Sequence, residues 1–267
     1  MKRAMFVVVS LVIVLTWCTG VWAQEKTPPV AYAYRASEPI SVDGDIAEWI
    51  TLTPIVINDI SQVIRDADHW LGPDGTSCVV YVMWDEDNLY LAADVTTTSR
   101  FDVIDGLPLD YVDNFMVYIS TDPDLDPGRT AYDTRDFLLY LITDNNWWDT
   151  AFDRSMVEKR ERFSSAGMEG GENVLEGYEK AVQLTSRGFI YEAVIPWVNF
   201  SNNRIPVYTP QIGDVIKFNF AITDTIMACP GTEFVPQLAW TGDRRINTNP
   251  SLWGDLVFVD SGFVSEE

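Results

Sequence analysis

The chain has 267 residues, 47% of them hydrophobic and 13% aromatic, with 18 basic residues against 40 acidic ones and a net charge of −22. Such an acidic balance excludes nucleic acid and anionic lipid as partners, because both are recognised through basic patches. It suits a neutral ligand, leaves many carboxylates available to cations, and comes with the length of one large all-β domain.

Residues 1–23 read as a secretory signal peptide. Lys2 and Arg3 supply the positive start, residues 6–17 an apolar run, and Val21-Trp22-Ala23 small side chains at the −3 and −1 positions, which places cleavage after Ala23. The apolar run is short of the roughly 20 residues that span a bilayer. The bulky Trp17 before Cys18 argues against lipid attachment there. The mature protein is therefore expected to be secreted or periplasmic and free of the membrane. Losing Lys2 and Arg3 takes its net charge to −24.

Residues 24–36 are polar and proline-bearing at the start and read as a linker and lead-in. A single domain is expected over 37–260, with a tail at 261–267. Within it, short apolar runs alternate with clusters of Asp, Asn, Gly and Pro, the pattern of many antiparallel strands. Strands are expected at 78–84, 89–95, 115–120, 137–143, 179–184, 189–195, 215–223 and 256–259. In the stretch 215–223, Phe218, Phe220 and Ile222 share one face while Lys217, Asn219 and Ala221 share the other. Hairpin turns are expected at 85–88 and 185–188. Short helices are expected at 60–66 and 155–162, neither with a long apolar stripe. The fold class is all-β, an antiparallel β-sandwich with little helix.

Catalytic signatures are scarce. His69 is the single histidine, so a nucleophile–histidine pair has one possible base and a histidine-built zinc site has too few ligands. No phosphate loop or dinucleotide fingerprint occurs. Paired carboxylates can cleave glycosides, but nothing selects one pair among 40 acidic residues, and the chain is expected not to be an enzyme.

Other clusters suggest binding. Asp122, Asp124 and Asp126 alternate in a tight loop, with Asp133 and Asp136 following. Hard cations take six to eight oxygens, so these five residues are the candidate ligands of a structural calcium ion; the alternative is a solvated acidic turn. Asp43 and Asp45 read as a turn whose carboxylates cap backbone amides. Cys78 and Cys229 form a disulfide or remain two buried thiols. Trp49, Trp84, Trp197 and Trp253 read as core. Trp240 fits either core or cleft. Trp147 and Trp148 follow Asp144-Asn145-Asn146, as a ligand platform or as the closure of one end of the sandwich. Arg244, Arg245 and Asn247 lie in a loop where they can bond hydroxyls or a carboxylate, or be merely exposed.

The segments also have a recognisable order. Val42-Asp43-Gly44-Asp45-Ile46 with Trp49 comes first, then Val80-Tyr81-Val82-Met83-Trp84-Asp85 and Asn88-Leu89-Tyr90-Leu91, then Asp113 before the strand at 115–119. Tyr191-Glu192-Ala193-Val194-Ile195-Pro196-Trp197 follows, with Gly213-Asp214, Phe218-Asn219-Phe220, Trp240 and Leu252-Trp253-Gly254-Asp255-Leu256. This series resembles the family-9 carbohydrate-binding modules, sandwiches related to the DOMON-like domains, over nearly the whole mature chain. The resemblance implies bound calcium, a poly- or oligosaccharide ligand held between two tryptophans, and a partner glycoside hydrolase acting on xylan or cellulose. The chain departs from that clamp. Asp110, with Tyr111 beside it, stands where the first tryptophan is expected, and Asn247 near the second. Met116 replaces a carboxylate, and Leu138 and Tyr140 replace an Arg and an Asn. The cleft so formed is more apolar. A cleft with Met116 nearby also fits a second reading, a haem-b-binding electron-transfer sandwich. A structural surface or adhesion module is a third.

Overall fold

The computed structural model describes residues 27–98, 113–122, 128–142, 162–165, 173–201, 205–229 and 232–262. Sixteen strands lie among them: β1 Val30–Arg35, β2 Ile55–Ile57, β3 Val63–Arg65, β4 Thr76–Trp84, β5 Asn88–Thr97, β6 Asn114–Ser120, β7 Asp136–Ile142 and β8 Arg162–Ser165. The rest are β9 Asn173–Val174, β10 Glu179–Leu184, β11 Gly188–Pro196, β12 Val215–Thr223, β13 Ile226–Cys229, β14 Thr232–Phe234, β15 Gln237–Ala239 and β16 Gly254–Val259. Among the described residues, no helix is long and apolar enough to cross a membrane.

The strands form two layers joined through β1. One layer runs β10-β11-β5-β4, with β2 on β4; the other runs β16-β12-β6-β7-β8-β9. On one edge of β12, β16 pairs the first half and β15 the second, and β3 then pairs β15. Pairings are antiparallel except those of β1, which runs parallel to both β16 and β4. Residues 30–35, expected in the lead-in, are thus the strand that joins the layers. All eight expected strands are present, five of them with both ends within one residue of the expected bounds.

Period-two alternation explains the core. Val80, Val82, Leu91, Ala93, Tyr191 and Ile195 project inward from one layer to meet Phe115, Val117, Leu139, Phe218, Phe220 and Phe258 from the other. Phe115 stacks edge-on against Tyr191 with centroids 4.7 Å apart, and truncating such a ring costs about 3–5 kcal/mol. Cys78 belongs to this interior as a free thiol, 1% exposed. That answers the expected disulfide with an unpaired Cys78; the side chain of Cys229 lies outside the described residues.

Each expected hairpin is present. At 85–88 the Asp85 carboxylate accepts the amides of Asp87 and Asn88 at 2.8 and 2.7 Å. At 185–188 the amide of Thr185 donates to the Gly188 carbonyl at 2.9 Å. The helix expected at 60–66 is instead a 3-10 turn, Ile60–Gln62, capped by Asp59, followed at once by β3. The extended pairing of β3 with β15 competes with the helix and wins. The helix expected at 155–162 lies outside the described residues, apart from Arg162, which begins β8.

The opening motif is pinned by a buried carboxylate. Glu192 of β11 is fully buried on the outer face of its layer. Its Oε2 accepts the amides of Asp43 and Gly44 at 3.0 and 2.6 Å, and its Oε1 accepts the Trp49 indole N–H at 2.8 Å. Burial raises the Glu192 pKa, and the three hydrogen bonds offset part of that rise. Asp43 and Asp45 also cap amides two residues on, at 3.0 Å each, which is the turn role expected of them.

Candidate functional site

The opposite outer face, on the β6–β7–β12 layer, carries the residues expected to line a cleft. Met116 of β6 stands directly across from Tyr140 of β7 and Ala221 of β12, and Tyr118 across from Leu138. Met116, Leu138 and Tyr140, expected to share one cleft, therefore lie on one face of adjacent strands. What lies over them differs from the expectation. The segment between β15 and β16 folds across this face and seats Ile246 and Trp253 on Met116, Tyr118, Leu138 and Ala221 in one apolar cluster. The Trp253 indole donates to the Ile246 carbonyl at 2.9 Å, and its ring sits 5.6 Å from Tyr118 and 5.5 Å from Tyr132. Asn247 is drawn in as acceptor of the Tyr118 hydroxyl.

The expected cleft is thus filled by the protein's own side chains, with Met116 1% and Leu138 7% exposed. The Met116 sulfur already accepts the Gln237 side-chain amide at 2.9 Å. A buried, occupied thioether is not an axial ligand in waiting, so the haem reading is set aside.

An open groove of about 620 Å³ adjoins this cluster. Val63 and Ile64 of β3 form one side, and residues 242–245 form the other. The loop is held close to the chain opposite. Gly242 takes φ +66°, and a Cβ there would come within 2.3 Å of the Ser61 carbonyl oxygen. Asp243 caps the turn Arg244–Asn247 by accepting the Arg245 amide at 2.9 Å. The same carboxylate takes the Arg245 guanidinium in a two-pronged fork, Nε to Oδ1 at 3.0 Å and Nη2 to Oδ2 at 2.7 Å. That bond raises the Arg245 pKa. Arg244, exposed beside it, has no hydrogen-bond or ion-pair partner among the described residues.

Of the loop residues expected at the site, Arg244 and Arg245 line the groove and Asn247 does not. Trp240 faces the core, packing on Phe218 and against Gly254, where a Cβ would meet its ring at 2.3 Å. Asp110, Tyr111, Trp147 and Trp148 lie outside the described residues. The sequence reading missed Val63, Ile64, Gly242 and Asp243. The triplet Asp243-Arg244-Arg245 was a visible signal; the approach of β3 was not, because it depends on pairing across most of the chain.

The acidic segment is organised around an arginine. Arg129 holds the fully buried Asp136 with both guanidinium nitrogens, Nη2 to Oδ1 at 3.0 Å and Nη1 to Oδ2. Asp133 and Asp122 stand 3.8 and 4.0 Å away. Hydrogen bonding to Asp136, above all, raises the Arg129 pKa. Asp124 and Asp126 lie outside the described residues. Asp122, Asp133 and Asp136 are thus gathered around the Arg129 guanidinium, and no group of three metal-ligating side chains occurs among the described residues.

A family model for the carbohydrate family 9 binding domain-like domains matches residues 42–261. The chain belongs to this family. The family-9 chain is 22% identical over 198 residues to endo-1,4-beta-xylanase A of Thermoanaerobacterium saccharolyticum, covering 72% of the chain and 14% of that enzyme. It is 25% identical over 191 residues to exoglucanase XynX of Acetivibrio thermocellus, covering 68% of the chain and 15% of that enzyme. The chain thus spans about a seventh of the length of these curated relatives. Among solved structures, it is similar to a family-9 carbohydrate-binding module from Caldicellulosiruptor kristjanssonii in complex with cellotriose. The TM-score is 0.59 at 16% identity, over 90% of this chain and all of that one. A family-9 carbohydrate-binding module from Caldicellulosiruptor kristjanssonii in complex with glucose gives a TM-score of 0.56 at 16% identity, over 89% of this chain and all of that one. These structural likenesses establish the family-9 fold.

Proposed function

We propose that this family-9 chain is a non-catalytic carbohydrate-binding protein, exported to the periplasm or beyond, which holds a poly- or oligosaccharide for a partner glycoside hydrolase. The observation that carries this reading is a family-9 sandwich with a preorganised groove, apolar on one side and lined by planar hydrogen-bonding groups on the other. A pyranose offers the matching surfaces. Its C–H face lies along β3 at Ile64, and its hydroxyls bond the Asp243–Arg245 fork and the Arg244 guanidinium. No aromatic ring lines the groove among the described residues, so directed hydrogen bonds take a larger share than stacking. The xylanase and exoglucanase relatives, matched over a small part of their length, support a hydrolase as the partner.

Affinity electrophoresis through gels containing xylan, cellulose derivatives or mixed-linkage glucan tests the reading, with calorimetry on the corresponding oligosaccharides. Retardation by at least one glycan is the expected result. Unretarded migration through every gel, with no heat of binding, would refute it.

A further inference from the structure

The groove holds an imbalance of charge that the rest of the chain makes conspicuous. Acidic residues outnumber basic ones by 40 to 18, so a cation on this surface has more than two carboxylates available for each one of its kind. Arg35 is paired with Glu86, Arg129 with Asp136, Lys217 with Asp255 and Arg245 with Asp243. Arg244, like Arg135 and Arg187, has no ion-pair partner among the described residues, although it adjoins Asp243 in sequence; of these three, only Arg244 lines the groove. The reason is local. Asp243 spends both carboxylate oxygens on Arg245 and also caps the turn, so the groove lining carries two guanidinium groups to one carboxylate, and Arg244 has no ion-pair partner among the described residues.

We infer that the groove recognises a carboxylate, and that its ligand is an acidic oligosaccharide bearing a uronate residue rather than a wholly neutral chain. This rests on the carbohydrate-binding reading and narrows it to a substrate class. A guanidinium presents parallel N–H donors that match a carboxylate in a fork, and such charge-assisted bonds are stronger than those to hydroxyls. The geometry is already prepared. Gly242 fixes the loop against Ser61, and the Asp243–Arg245 fork fixes the turn that carries Arg244. The uronate carboxylate meets Arg244 while the neighbouring pyranose lies along β3 at Ile64. The acidic exterior elsewhere disfavours the same ligand at other places, so the site also gains selectivity from its surroundings.

Calorimetry with the full chain compares two probes of equal length, xylotetraose and xylotriose carrying one 4-O-methylglucuronate. Wild type is expected to prefer the acidic probe by about tenfold, in keeping with one exposed charge-assisted contact. Raising NaCl from about 50 to 500 mM should weaken the acidic probe and leave the neutral one unchanged. Arg244→Gln should bring the ratio close to one with an unchanged melting midpoint, since the side chain makes no hydrogen bond or ion pair among the described residues. Arg244→Lys should keep part of the preference, and Arg187→Gln, in an exposed hairpin turn, should keep all of it. Equal affinity of wild type for both probes would overturn the uronate assignment and leave carbohydrate binding intact. A preference that survives Arg244→Gln would overturn the assignment to this groove. Failure to bind either probe, together with every glycan gel, would overturn both readings.

Discussion

Replacing Arg129 by Ala removes the cation from a cluster whose centre, Asp136, is fully buried. Taking one partner from a buried ion pair costs about 3–5 kcal/mol, because the remaining charge is left without compensation. Two features place this case at the lower end. The guanidinium keeps 17% of its exposure, which gives water some access, and Asp136 still accepts the Asp133 amide at 2.8 Å. Asp133 and Asp122 stand at 3.8 and 4.0 Å and are themselves partly exposed, so they add little. A loss of about 3 kcal/mol is therefore expected. For a chain of this length it lowers the melting midpoint by roughly 6–12 °C. Calorimetric melting of the purified protein measures it. The double variant Arg129→Ala with Asp136→Asn should recover part of the loss, since no buried charge then remains, and the wild-type midpoint should be indifferent to EDTA. A single variant within about 0.5 kcal/mol of wild type, the range of a surface pair, would refute the clamp. A chelator-induced drop in the wild type would show that a metal, not Arg129, braces this segment.

Three further outcomes follow from the geometry. Burial raises the Glu192 pKa, so its contribution to stability is full below the ordinary carboxylate range and is lost as pH rises through the raised value. Urea unfolding of wild type and Glu192→Gln should accordingly diverge further in favour of wild type at pH 4 than at pH 7; a pH-independent gap would contradict the shift. Gly242→Ala places a Cβ within 2.3 Å of the Ser61 carbonyl at a positive φ and should cost more than about 1 kcal/mol in chemical unfolding, while weakening any glycan that the groove binds. Cys78 is a free thiol in the core with its pKa raised well up by burial, so peptide mapping after iodoacetamide should find it alkylated only in denaturant; modification under native conditions would place it outside the core.

The sandwich was legible because its strands are long and their two faces differ. Phe218, Phe220 and Ile222 read as inward from sequence and are 0–3% exposed. Their alternates misled in one respect. Asn219 and Ala221, which read as the outer face, are also buried, because the segment from β15 to β16 covers them. That cover makes contacts such as Tyr118 to Asn247, 129 positions apart, and no local pattern announces it. The strand β1 escaped for the same reason: six residues of Val, Ala, Tyr and Arg become a strand only by pairing with both chain-distant β16 and β4. The acidic segment was legible as a cluster of aspartates, but not the part of Arg129, which stands only seven positions before Asp136 and pairs with it.

The family series divides between the two outer faces, its opening motif lying opposite the groove and Trp253 lying beside it. Asp43, Gly44 and Trp49 serve Glu192 on the outer face of the β10-β11-β5-β4 layer, and Asp113 accepts the Thr225 amide at 2.6 Å, tying the start of β6 to the residues after β12. Their work is to hold the chain in its fold, and their chemistry is indifferent to what the other face binds. Met116, Leu138 and Tyr140 sit across the core from Glu192, so an apolar surface there leaves its hydrogen bonds undisturbed. Ile246 and Trp253 pack on that surface. The segment that carries them also places Asp243, Arg244 and Arg245 beside β3. Covering this face and lining the groove are therefore two consequences of one packing arrangement.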